Sequence, residues 1–322
     1  MFQDYRIAYL RHHVRVKETR RLSFLRESVA YILSQSARRI PHAAVNMQFD
    51  LTALVEYCKE TTTDTHQDSE VKSERAILQR AIRRRFSAFF IKSVAHCLHH
   101  VPAMNGFLDY APLITGGTLY VAEDINLGFA VHTKHGLVKP IIRNPHLKEL
   151  ETVATEMRTL TRKARKTDPV ELFQKAGRAY MMTALRQLDI TVLPAFWIWI
   201  RSKLRPHKPD PIFINVPEED KLQVHDILGA TSTISNIGMM IEGHHTVTVI
   251  VPPEVVVIGI GSVRQTPMVV DGKVTPRYTV TMCVTIDHRA FDGGEGFPFY
   301  NKMKQYIDNP ALIYEWKPGD EI

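Results

Sequence analysis

Asp287, His288, Arg289, Ala290, Phe291, Asp292 and Gly293 follow one another near the end of this 322-residue chain. A histidine takes and returns protons near neutral pH, an aspartate four residues on can assist it, and a glycine lets the backbone turn tightly. The run before them, Tyr278-Thr279-Val280-Thr281-Met282-Cys283-Val284-Thr285-Ile286, is rich in β-branched residues and reads as a strand. A strand that ends by delivering a histidine into a turn is a common way to present a general base. Taken alone, the H-x-x-x-D-G spacing serves equally a turn with a solvated histidine and an aspartate cap.

The elements that position this turn are legible in outline. Phe24, Leu25, Val29, Ile32 and Leu33 recur at helical spacing after Ser23, an N-cap residue type, and Pro41 stands beyond the end of that helix. Residues 45–51 alternate as a strand. Residues 61–73 are polar and acidic and read as a loop or a frayed helix end. Arg80, Arg83, Arg84 and Arg85 read as a solvated helix face, with a phosphate-facing patch as the alternative. Helical spacing resumes over 86–98, a strand pair is predicted over 118–123 and 126–133, and a long helix over 147–166. Val269-Val270-Asp271-Gly272-Lys273-Val274 predicts a hairpin turning at Asp-Gly, and a last helix is predicted over 297–307.

Several further blocks lie upstream of His288. They are Ile40-Pro41-His42-Ala43, Asn126-Leu127-Gly128-Phe129-Ala130-Val131, Gly136-Leu137-Val138-Lys139-Pro140-Ile141-Ile142-Arg143-Asn144, Thr233-Ile234-Ser235-Asn236-Ile237-Gly238, Val251-Pro252-Pro253-Glu254-Val255 and Ile258-Gly259-Ile260-Gly261. In this order, and with the DHRxxDG stretch, the chain resembles the catalytic domain of the dihydrolipoamide acyltransferases of 2-oxoacid dehydrogenase complexes, over about residues 22–313. The resemblance implies an α/β, chloramphenicol-acetyltransferase-like sandwich with a mixed central sheet flanked by helices. It also implies transfer of an acyl group between coenzyme A and a dihydrolipoyl thiol. His288 matches the family's base, Ser235 its hydroxyl donor and Asp292 its motif acid. In such enzymes the serine and the histidine come from different subunits of a trimer. No coenzyme A contact residue is assigned by the sequence.

Thioester exchange needs those residue types. A thiol with a pKa near about 8.5 is mostly protonated at neutral pH, so a base must take its proton as the sulfur attacks. Attack places charge on the acyl oxygen, and a hydroxyl aimed there stabilises the intermediate. Ser235 suits that role; a turn-capping hydroxyl is its other reading. Asp292 either assists proton handling or ties down the loop through an arginine such as Arg26 or Arg289, and Gly293 permits the turn.

The chain departs from the family pattern in three places. The stretch near 170–228 is extended and contains Phe196-Trp197-Ile198-Trp199-Ile200 before Arg201, Lys203 and Arg205. Residues 192–205 are too short to span a bilayer; packing on the core or a neighbouring subunit is preferred over lying in a membrane interface. Only a basic arm, residues 1–21, precedes the domain formed by residues 22–322, so a lipoyl group is expected on a separate carrier, unless the acyl donor is a free thioester. Gly229-Ala230-Thr231-Ser232 stand where the family often has two glycines.

Composition fits an enzyme with a substantial core, with 44% hydrophobic residues. The net charge of +7 suits an anionic ligand such as coenzyme A. No finger spacing or aromatic-and-basic module points to nucleic acid. Cys58, Cys97 and Cys283 show no metal or disulfide spacing and read as buried thiols of a reducing compartment, the cytoplasm. The first 21 residues hold no apolar run of the kind a secretory signal needs. Adjacent histidine pairs do not make a metal site. Two alternatives remain: a coenzyme A-dependent acyltransferase acting on a small hydroxyl or amine compound, and a non-catalytic core protein of the same fold.

Overall fold

Ser23 caps the first long helix as its position predicts. Its hydroxyl accepts from Arg26 N at 3.3 Å, and the helix α2 runs Phe24–Arg39. The computed structural model describes residues 5–63, 74–111, 116–186, 200, 208–236 and 247–322. Before α2, the arm forms a helix α1, Tyr5–His13, that buries none of its side chains. The segment 192–205, apart from Ile200, lies outside the described residues, as do residues 64–73 of the polar stretch and the side chains of the Arg80–Arg85 run.

Strand β1, His42–Asp50, leaves α2 at Ile40 and pairs antiparallel with the long β11, Lys273–Asp287. β11 pairs in turn with β9, Val256–Ile260, and β9 runs parallel to β8, Ser232–Asn236. β8 runs parallel to β4, Asn126–Phe129, which pairs antiparallel with β7, Ile141–Arg143. The main sheet therefore reads β1-β11-β9-β8-β4-β7 and is mixed, as expected for the α/β class. β10, Arg264–Val270, joins β11 through the Asp-Gly turn, with φ of 49° at Asp271 and 76° at Gly272, the backbone that makes this dipeptide a hairpin turn.

The predicted pairing of 118–123 with 126–133 is corrected. β3, Gly116–Val121, pairs with β2, Gly106–Ala111, in a separate hairpin. β5, Val131–Thr133, pairs with β6, Gly136–Val138. β4 goes instead to β8, about a hundred residues away in sequence, because its buried Leu127 and Phe129 complete the apolar row that Ile234 and Ile258 begin.

Helices α3 (Thr52–Thr63), α4 (Glu74–His100), α5 (Leu150–Arg165) and α7 (Phe297–Asp308) cover one face of the sheet. Phe89, Phe90, Val94, Leu98, Phe299 and Met303 pack there against alternate strand residues such as Ile258, Met282 and Val284. On the opposite face Val257 packs with Ile40 and Ile250. α6, Pro169–Arg186, opens the extended stretch and sends Leu172 into the core.

Within the helical layer α4 buries a lysine and a histidine. Lys92 Nζ stands 4.1 Å from the centroid of the Trp316 ring, and His96 meets the same indole edge-on at 5.3 Å. Burial and then Lys92 push His96 down to about 3, and burial and then His99 lower His146 to about 4. Both histidines are thus neutral in the folded chain where they would be protonated in the unfolded one. The unfolded state binds more protons between about pH 4 and 6.5, so stability rises with pH across that window. The urea midpoint should fall on acidification from about pH 6.5 to 4.5, and His96→Phe should flatten that fall; an unchanged slope would contradict this account.

Candidate active site

β11 ends where the chemistry begins. Asp287 is buried, in register with His42, and its backbone N donates to Val255 O at 2.8 Å. His288 N donates to Pro41 O at 3.1 Å, so the ladder still holds the chain as the histidine emerges. Asp287 accepts from Arg289 Nε at 3.0 Å, from Arg289 Nη2 at 2.6 Å and from Arg289 N at 3.0 Å. The guanidinium, its proton held more firmly by that carboxylate, lies 4.9 Å from the Tyr110 ring centroid, which ties the turn to β2. This pair flanks His288 on both sides in sequence and fixes the turn from which it projects.

Of the two readings of Asp292, the anchor through Arg289 is corrected: Arg289 is held by Asp287. Asp292 is instead exposed at the N-cap of a 3-10 turn, Gly293–Gly296, where its side chain accepts from the backbone of Glu295 and Glu295 Oε1 accepts from Asp292 N at 3.1 Å. Both readings of the sequence meet here, because the capping aspartate also stands 3.3 Å from His288 Nδ1. The imidazole is about half exposed, 49%. A carboxylate near Nδ1 favours the tautomer that leaves Nε2 unprotonated and able to act as base. Gly293 has no positive φ, and a Cβ there would meet nothing within 4 Å, so no steric demand for glycine exists at this position.

Ser235 lies in the β8 ladder, opposite Gly259 of β9, rather than capping a turn. The register fixes its distance from His288. Gly259 faces Cys283 of β11, and His288 stands five residues further along that strand direction. Two strand spacings across and five residues along put the Ser235 and His288 backbones roughly 19 Å apart. Side chains of this size do not span that gap. The structure thus brings His288 and Asp292 together and keeps Ser235 of the same chain away from them.

The other motif residues hold the sheet end in place. Asn144 adopts φ 45°, accepts from Ile125 N at 2.8 Å and donates to Asp124. Arg143 donates to the carbonyls of His225 and Leu228, and so secures the Gly229 turn that leads into β8. His42 Nε2 accepts from Ile250 N at 3.3 Å and faces Ser36 Oγ at the same distance. Two charged residues that the sequence reading did not single out also meet: Lys139 Nζ donates to Glu254 Oε1 at 2.5 Å and to Thr233 Oγ1 at 3.0 Å. Each is a lone charge inside an apolar block, and that isolation was the available signal. Among the described residues no group of three His, Cys, Asp or Glu side chains could hold a metal, and no helix is long and apolar enough to cross a membrane.

Comparison with known proteins places this geometry. Residues 15–171 and 214–315 match the family described as 2-oxoacid dehydrogenases acyltransferase (catalytic domain). A mitochondrial protein of Schizosaccharomyces pombe, described as the probable dihydrolipoyllysine-residue succinyltransferase component of the 2-oxoglutarate dehydrogenase complex, is 26% identical over 95% of this chain and 52% of its own length. The dihydrolipoyllysine-residue acetyltransferase component of the Staphylococcus aureus pyruvate dehydrogenase complex is 23% identical over 92% of this chain and 52% of its own. The chain spans about half the length of the curated relatives it matches. Among solved structures, the Azotobacter vinelandii dihydrolipoamide acetyltransferase superposes with a TM-score of 0.63 at 21% identity, covering 94% of this chain and 95% of the other. A truncated catalytic core of the Thermoplasma acidophilum 2-oxoacid dehydrogenase complex gives 0.57 at 18%, covering 91% and 99%. These two likenesses show the fold.

Proposed function

Because the chain belongs to the family of 2-oxoacid dehydrogenase acyltransferase catalytic domains, we propose that it moves an acyl group between coenzyme A and a dihydrolipoyl thiol at an interface between copies of itself. The observation that carries this reading is the strand register, which sets Ser235 and His288 of one chain roughly 19 Å apart. Each is then half of a site, completed when the β8 end of one chain meets the β11 end of the next. A ring of three copies gives every chain one neighbour on each side.

The steps follow from the residues. The attacking thiol gives its proton to His288 Nε2 as its sulfur bonds to the thioester carbonyl carbon. The Asp292 carboxylate beside Nδ1 steadies the imidazolium that results. The carbonyl oxygen takes up the negative charge, and the neighbour's Ser235 hydroxyl donates to it. The intermediate then expels the other sulfur, which recovers the proton from His288. The scheme runs in both directions and needs no metal. The buried thiols Cys58, Cys97 and Cys283 suit a reducing, cytoplasmic setting.

The test is direct. The purified protein, given acetyl-, succinyl- or branched-chain acyl-coenzyme A with free dihydrolipoamide, should release coenzyme A and form S-acyl dihydrolipoamide with at least one of them. Acylation of a small hydroxyl or amine compound, with dihydrolipoamide left untouched, would overturn the choice of acceptor.

A further inference from the structure

We propose that Lys139 and Glu254 are positioning residues for Ser235, a step that rests on the acyl-transfer reading of the site. Lys139 follows β6, Thr233 sits in β8, and Glu254 precedes β9. Their side chains close a ring. Lys139 Nζ donates to Glu254 Oε1 at 2.5 Å and to Thr233 Oγ1 at 3.0 Å, and the Thr233 hydroxyl donates to Glu254 Oε2 at 2.5 Å. Glu254 is buried and has both oxygens engaged. Its backbone also bridges to Phe107 of β2, which anchors it outside the main sheet.

The ring lies next to the proposed oxyanion donor. Thr233 and Ser235 are two residues apart in one strand, so both point to the same sheet face, roughly 7 Å apart. The face is the one opposite Ile234, which packs in the main core. The β4–β8 register ends at Phe129 and Ile234, whereas the β8–β9 register continues through Ser235. Among the described residues Ser235 is in register with one strand, β9. On the β4 side the backbone bonds reach Ile234 O, which accepts from Ala130 N at 3.2 Å, and the Lys139 ammonium holds Thr233, two residues before Ser235 on the same face. The lysine stem reaches Thr233 by crossing Gly128, where a Cβ would come within 2.9 Å of Lys139 Cδ. Gly128 is in register with Thr233, so the glycine is the gap through which the lysine passes. An ion pair between a buried carboxylate and a partly exposed ammonium adds little net stability, so fixing geometry is the role that suits it. Here it fixes the β8 end that aims Ser235.

The decisive experiment is a mutant cycle in the full chain. Lys139→Met with Glu254→Leu removes both charges and keeps the volume. The double variant should retain its melting temperature and its KM for acyl-coenzyme A, and its kcat should fall by about 10- to 100-fold, within the loss expected from removing an oxyanion donor. In a Ser235→Ala background the same pair of changes should cost almost nothing further. An equal loss in both backgrounds, or an unchanged kcat in the folded double variant, would overturn the proposal. If the double variant does not fold, Thr233→Val, which cuts the ring at the hydroxyl, is judged by the same dependence on Ser235. A Ser235→Ala chain as active as the parent would remove Ser235 as the oxyanion donor and the proposal with it, whereas a parent chain that leaves dihydrolipoamide untouched would defeat the acyl-transfer reading itself, so the two failures are told apart.

Discussion

His288→Ala should lower acyl transfer from acyl-coenzyme A to dihydrolipoamide by about 10²–10⁴-fold, the range a positioned general base supplies. The fold gives this variant an interpretable result. His288 is attached to its surroundings through its backbone, whose N–H donates to Pro41 O, and its side chain stands half exposed beyond the buried Asp287–Arg289 pair. Removing the imidazole leaves no buried group without a partner, so melting temperature and assembly should not move. Loss of the base should lower kcat and kcat/KM together, because the proton transfer it performs occurs in the transition state. Turnover within tenfold of the parent enzyme, in a correctly assembled protein, would remove His288 from the mechanism.

Much of this turn could be read from residue types and order. The β-branched run before Asp287 gave the strand, Ser23 gave the start of α2, and Asp271-Gly272 gave the hairpin. What could not be read was pairing between distant segments. Adjacent strands 118–123 and 126–133 looked like partners, but β4 is claimed by β8 through a parallel ladder that local pattern does not encode. The same limit governs side chains. Asp292 and Arg289 are close in sequence and of opposite charge, yet Arg289 is taken by Asp287, which can reach it in two-pronged fashion from the end of the ladder. Lys139 and Glu254 meet across 115 positions, and Lys92 is buried against Trp316 from the far end of the chain. Each of these contacts depends on the fold having closed, so only its products, lone charges within apolar blocks, are visible beforehand.

Register also decides between a site within one chain and a site shared by two. Chains carrying Ser235→Ala and chains carrying His288→Ala should each be nearly inactive alone. Mixed by co-expression in equal amounts, they should recover about one quarter of the parent activity, because in a closed ring each interface draws its serine from one chain and its histidine from the next at random. An interface is intact only when the serine comes from a His288→Ala chain and the histidine from a Ser235→Ala chain. If the two groups met within one chain, every site in the mixture would lack one of them and no activity would return. The roughly 19 Å that the strand register sets between Ser235 and His288 favours recovery. It is too long for a loop adjustment to close, since Ser235 is locked to Gly259 and Asp287 to His42 by backbone pairing that would have to break first. Mixed assemblies verified by mass yet devoid of turnover would show that the site lies within one chain.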